Sequence, residues 1–184
     1  MRRLVLLAVV ALVVTPLSVA PSSSADLPSA DRWRADVREA MAGSRAYLAE
    51  RAATAAPGER LAINLDVDNT MLATEYAAGE PVRPVLRLAR TARRLGIAVL
   101  VNTARDESQR ARTARNLAEA GYVIDGLCLR QRGTGAADGK QRCRASFADL
   151  GYVLVANVGN HPHDFTGGGY ERAYRLPRYG GRLS

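Results

Sequence analysis

Short apolar runs recur along this chain, several ending abruptly in polar residues, and segments of helical period separate them. Residues 61–65 are apolar except for Asn64 and run into Asp66, Val67, Asp68, Asn69 and Thr70. A run this short, closed by acids, reads as a buried strand with polar groups at its carboxyl end. Residues 97–101 are uniformly apolar and rich in β-branched side chains; they end in Asn102, Thr103, Ala104 and Arg105 and predict a second, parallel core strand. Residues 123–124 and 126–129 predict a shorter third strand, 152–158 a fourth leading into Gly159 and Asn160, and 170–176 a last one.

The intervening segments are helical. In 82–95, Val85, Leu88, Ala89, Ala92 and Leu95 share a face, Pro84 suits the first turn and Gly96 the end. Residues 106–120 form the next helix, opened by Asp106 and Glu107 and stopped by Gly121. A glycine-bearing loop, 130–139, precedes a helix that starts at Lys140 and runs to about Leu150. Ahead of the first strand, 29–55 predicts a helix bent near Gly43 and ended before Pro57-Gly58. Its Trp33, Val37, Met41, Tyr47 and Leu48 fall near one face; core packing is expected of Trp33 and Tyr47, with a substrate entrance as the alternative. Strands alternating with helices predict an α/β fold: a mostly parallel five-stranded sheet with helices on both faces. In such sheets ligands bind beyond the carboxyl ends of the strands.

Composition adds a compartment and a charge. Arg2 and Arg3 precede an uncharged apolar run, 4–14, and a small-residue stretch places Ser23 and Ala25 ahead of a cleavage point before Asp26. This is the pattern of a secretory signal peptide, 1–25, leaving 26–184 as the mature domain with 26–58 as a helical extension. The run is short of the ~20 residues a membrane span needs, so no transmembrane segment is expected after cleavage. Losing Arg2 and Arg3, with no acid, takes the formal charge from +8 to +6. A basic surface attracts anions, but the arginines are scattered, and no specific nucleic-acid partner is expected. Cys128 and Cys143, an even pair in an exported chain, are a candidate disulfide.

The candidate chemistry sits at the strand ends. Two carboxylates two residues apart, Asp66 and Asp68, offer one group to attack an electrophile or hold a cation and another to move protons. A hydroxyl at the end of the second strand, Thr103, can bind a phosphoryl oxygen, and Arg105 can add charge beside it. Lys140 is the only lysine of the 26 basic residues, so arginine was available wherever mere solubility was needed.

The spacing Asp66-x-Asp68-x-Thr70 resembles motif I of the haloacid dehalogenase (HAD) superfamily of phosphotransferases, and the stretch LAINLDVDNTML is similar to its acid phosphatase branch, which includes plant vegetative storage proteins. Thr103 falls at motif II. LCLRQRGT followed by GKQRCR resembles the loop and lysine of motif III, with Lys140 in place and Arg142 and Arg144 as fallback cations or surface residues. Gly159-Asn160-His161-Pro162-His163-Asp164 stands where the family has GDxxxD: Asp164 matches the second acid and Asn160 replaces the first. RAYRLPRYGG resembles the family's terminal segment and is expected to close the sheet edge. The resemblance implies a HAD-like Rossmannoid three-layer sandwich without a large cap domain. It implies hydrolysis of small phosphate monoesters through a phospho-aspartate on Asp66, with Asp68 as acid and base and Thr103, Lys140 and Arg105 on the phosphate. Mg²⁺ would be held by Asp66, Asp68, Asp164 and Asn160. His161 and His163 are read as a solvated loop, with a metal pair or a leaving-group contact as alternatives. Because Asn160 carries no charge, the competing expectation is a HAD-fold anion-binding or storage protein with weak turnover. A third is a secreted polyanion binder.

Overall fold

The computed structural model describes residues 27–183; the expected signal peptide lies outside them. Five strands form one sheet in the order β3-β2-β1-β4-β5. They are β1 (Arg60–Leu65), β2 (Ala98–Asp106), β3 (Gly126–Arg130), β4 (Tyr152–Gly159) and β5 (Arg172–Arg175), and each neighbouring pair is parallel. β1 is central, which is why the run 61–65 carries so little polar character: both its faces are covered.

The helices are α1 (Ala30–Ala40), α2 (Ser44–Ala53), α3 (Arg83–Arg94), α4 (Arg110–Glu119) and α5 (Ala136–Asp149). The bend expected near Gly43 is a break: Gly43 has φ +72° and separates α1 from α2. Alternate residues of the strands face opposite layers. Ile63, Leu65, Val99 and Val101 pack with Trp33, Val37, Leu48, Val85 and Leu88 of α1–α3. Ala62, Leu100 and Leu154 pack with Cys143 and Phe147 of α5. Helices therefore cover both faces. Trp33 is core, stacked on Tyr76 with ring centroids 4.8 Å apart.

Several boundaries differ from the expectations. The helix expected from Asp106 opens as a 3₁₀ turn, Glu107–Gln109, with α4 starting at Arg110, and β3 leaves out residues 123–124. α5 starts at Ala136, so Lys140 lies in its second turn instead of opening it. The glycines of 133–139 suggest a loop, yet Gly139 is helical; glycine is needed there because a Cβ would come within 2.9 Å of Arg130 Cγ. β2 runs on to Asp106, past its apolar part. Its register against β3 slips between Thr103, opposite Leu129, and Asp106, opposite Arg130. That irregularity re-aims the residues between, as bulges do. Cys128 on β3 and Cys143 on α5 are joined in a disulfide, with their Cα atoms 5.7 Å apart.

Candidate active site

The carboxyl ends of β1, β2 and β4 and one turn of α5 converge. Asp66 directly follows β1 and remains in the ladder, its N–H donating to Val158 O (3.0 Å). Lys140 reaches across from α5: its Nζ donates to Asp66 Oδ1 (2.5 Å) and to Asn102 O (2.5 Å), and lies 2.7 Å from Asp164 Oδ1. Lys140 and Asp164 are each 2% exposed. An ion triad so dry has to be mutually compensated, since an unpaired charge here would cost several kcal/mol, on the order of the protein's whole stability. Burial pulls the Lys140 pKa down, but Asp66 and Asp164 outweigh it and the ammonium is held above its ordinary value. Burial pushes Asp66 up to about 7, with the Asp164 charge adding to the rise and Lys140 opposing it.

Asp68 occupies the more open side. Arg105 clamps it through two bonds, Nε to Oδ2 (2.9 Å) and Nη2 to Oδ1 (2.6 Å), and Thr74 Oγ1 donates to Oδ1 (2.9 Å). Burial raises the Asp68 pKa, but the Arg105 bonds and charge more than offset it, and the net shift is downward. Arg105, expected on the phosphate, is thus bound to the second aspartate, and the β2 irregularity aims it there. Thr103 is buried beside it; its Oγ1 accepts the Arg105 N–H (3.2 Å), leaving the hydroxyl proton to donate elsewhere.

The loop after β4 supplies Asn160 and Asp164. Asp164 Oδ2 accepts the His161 N–H (2.8 Å), and a Cβ at Gly159 would fall 2.5 Å from Asp164 Cγ, so only glycine lets this carboxylate lie back over the strand. Asn160 is buried, and neither its Oδ1 nor its Nδ2 has a hydrogen-bond partner among the described residues. A buried amide without partners is costly, and its Oδ1 suits an oxygen-seeking cation. The available donors here, the Asp66 and Asp164 carboxylates and the Asn160 amide, are all oxygens, the set that a hard divalent cation such as Mg²⁺ takes. No three His, Cys, Asp or Glu side chains cluster in a metal-holding group among the described residues, and Asn160 adds an uncharged oxygen to the two acids. His161 and His163 stack on each other, 4.7 Å between centroids, and both are half-buried instead of solvated. Burial pulls both pKa values down, and His163 Nε2 lies 3.8 Å from Asp164 Oδ1.

Several supporting residues escaped the sequence reading. Asn102 holds Lys140 twice, accepting from its Nζ and donating Nδ2 to its backbone carbonyl (2.9 Å). Asn157 Nδ2 donates to Asp164 O (2.8 Å). Arg144, taken as a surface residue or fallback cation, is 3% exposed and ties down the 164–168 loop through the carbonyls of Asp164 (2.9 Å), Thr166 and Gly168 (2.7 Å). The spacing of Lys140, Cys143, Arg144 and Phe147 is that of one helical face and was there to be read.

The fold defines a class, the Rossmann-like α/β proteins with a polar site at the carboxyl ends of a parallel sheet. Among solved structures the chain is similar to "The structure of the Class C acid phosphatase from Bacillus anthracis", with a TM-score of 0.67 over 82% of this chain and 80% of that one. At 17% identity that likeness speaks of the fold alone. A family model described as HAD superfamily, subfamily IIIB (Acid phosphatase), matches residues 74–181, and the chain belongs to that family. The matched span takes in Thr103, Arg105, Lys140, Asn160 and Asp164 and begins just after Asp68. No curated protein matches the chain.

Proposed function

We propose that this acid phosphatase family member hydrolyses phosphate monoesters by way of a phospho-aspartate on Asp66, with a divalent cation, and acts outside the cell after loss of residues 1–25. The observation that carries the reading is the Lys140 ammonium seated between Asp66 and Asp164, a fixed positive charge where an anionic nucleophile meets an anionic substrate. Asp66 Oδ attacks phosphorus as the bond to the leaving oxygen breaks. Asp68 gives that oxygen its proton, then takes one from the water that opens the acyl phosphate, restoring Asp66 and releasing inorganic phosphate. Thr103 Oγ1 and Lys140 hold the phosphoryl oxygens. The Arg105 clamp keeps Asp68 ionised in the free protein; a phosphoryl group competing for that guanidinium frees Asp68 to carry a proton.

Asp66, the Asp68 backbone carbonyl, Asp164 and Asn160 are the groups that would hold Mg²⁺, which when bound screens the nucleophile's charge against the phosphate. The test is p-nitrophenyl phosphate hydrolysis by the chain from Asp26 onward, with Mg²⁺ or chelator, beside Asp66→Asn. Activity that needs both metal and Asp66 is expected; full turnover by Asp66→Asn refutes the scheme. The uncharged Asn160 in place of an acid favours a second reading, a binding or storage protein with slow turnover. Asn160→Asp separates the two: it is expected to lower the Mg²⁺ concentration for half-maximal rate about tenfold, within the range that changes of metal-site residues produce.

A further inference from the structure

The leaving group has to depart on the side of Asp68, and that side opens on a cavity of about 460 Å³ whose walls include Asp68, Arg105, Asp106, Gln109, Arg112 and Arg130. Arg105 is spent on Asp68. The other two arginines make no salt bridge among the described residues. Arg130 is fixed in place by backbone acceptors alone, Nε to Ala104 O (2.9 Å) and Nη1 to Thr134 O (2.7 Å). Arg112 projects from an exposed position of α4 and has no ion-pair partner among the described residues. Asp106, the acid of this wall besides Asp68, accepts the N–H and O–H of Ser108, its bonds spent on its own turn. Those bonds, with the charges of Arg132 and Arg130, hold its pKa low, as a positive field does. A preorganised guanidinium with no salt-bridge partner, beside a second one at an exposed helix position, is how carboxylate and phosphate groups are recognised. Such a wall disfavours a bare hydrocarbon leaving group.

We infer that the cavity beyond Asp68 is a second anion subsite, in which Arg112 and Arg130 bind a carboxylate or phosphate on the alcohol portion of the substrate. The preferred substrates are then phosphomonoesters whose leaving group is itself anionic. This rests on the phosphatase reading above, since it is Asp68's role that places the leaving group there. Charge at such a subsite acts on kcat/KM, because it binds substrate and transition state alike.

The test compares 4-carboxyphenyl phosphate with its neutral counterpart 4-carbamoylphenyl phosphate, in wild type, Arg112→Gln and Arg130→Gln. The readout is the ratio of kcat/KM values, carboxyl over carbamoyl; intrinsic reactivity cancels when ratios are compared between proteins. The wild-type ratio is expected to be tenfold or more above that of either variant, and to fall with added salt. Binding of 4-carboxybenzylphosphonate against benzylphosphonate, by calorimetry, reads the same subsite without turnover and covers a variant that has lost activity through misplacement of the β3 end. A wild-type preference absent in both assays, with phenyl phosphate still hydrolysed, overturns the subsite and leaves the phosphatase reading standing. A binding preference lost in Arg112→Gln but no hydrolysis of any ester supports the subsite and overturns the phosphatase reading.

Discussion

Lys140→Met removes the cation from a buried triad while keeping the apolar stem of the side chain. Lys140 Nζ is 2.5 Å from Asp66 Oδ1 and 2.7 Å from Asp164 Oδ1, and water reaches none of the three freely. Breaking a buried pair by deleting one partner costs about 3–5 kcal/mol, because the surviving charge is left uncompensated. Here two carboxylates survive side by side, so the upper end is expected near neutral pH, a large share of a typical domain's 5–15 kcal/mol. The deficit has a pH signature. Asp66 is already raised from 3.8 to about 7 by burial, and losing Lys140 removes the charge that opposes the rise. A carboxyl whose folded-state pKa stands above its unfolded value binds a proton that the unfolded chain has given up. Its contribution is complete below the unfolded pKa and is lost as pH rises through the folded one. The variant is therefore closest to wild type near pH 5 and furthest from it at pH 7.5. Urea unfolding followed by circular dichroism at both pH values, in chelator, measures the difference. A loss under about 1 kcal/mol at pH 7.5, or a loss that grows toward pH 5, would refute the view that Lys140 compensates both carboxylates.

Replacing both Cys128 and Cys143 by serine opens a bridge between residues 15 apart and is expected to cost about 3 kcal/mol, read from the urea midpoint against the oxidised protein. Gly159→Ala places a methyl group against the Asp164 carboxyl; overpacking of this kind costs about 1–3 kcal/mol and here displaces a proposed metal ligand. Phosphatase activity should fall more than tenfold while Gly168→Ala, a glycine of positive φ with open space around it, lowers only the melting temperature.

The sheet was legible because its strands announce themselves twice, by apolar runs and by the polar residues that end them. Asp66, Thr103 and Asn160 stand where the run 61–65, the run 97–101 and the run 152–158 give out, so the strand ends at which a site would gather could be placed from spacing alone. What was not legible is what depends on departures from regularity. Nothing in Asn102-Thr103-Ala104-Arg105-Asp106 signals a strand, and its continuation is an outcome of pairing with Arg130 across an irregular register. Gly139 reads as loop to any rule of local propensity; it lies within α5, where the close approach to Arg130 leaves no room for a Cβ. Arg144 reads as surface because arginine usually is; its burial is a consequence of three loop carbonyls that need a donor.

These irregularities have one effect in common: they fix cations. The slip in β2 turns Arg105 onto Asp68, the close approach at Gly139 seats Lys140 a turn inside α5, and Arg144 anchors the loop bearing Asp164. A site with Asp66, Asp68 and Asp164 at the carboxyl ends of adjacent parallel strands would repel itself and its substrate. Each of these acids is instead answered by a cation placed through backbone geometry, Asp66 and Asp164 by Lys140 and Asp68 by Arg105. The two answers differ in permanence. Lys140 is buried and shared, so its charge is a standing part of the site, whereas Arg105 sits on a more exposed pair, the one that the proposed mechanism has a phosphoryl group break. Under the proposed mechanism, the chain thus separates a fixed electrostatic support for Asp66 as nucleophile from an exchangeable one for Asp68 as proton carrier. That separation is what an acid that must be ionised in one half of a reaction and protonated in the other requires.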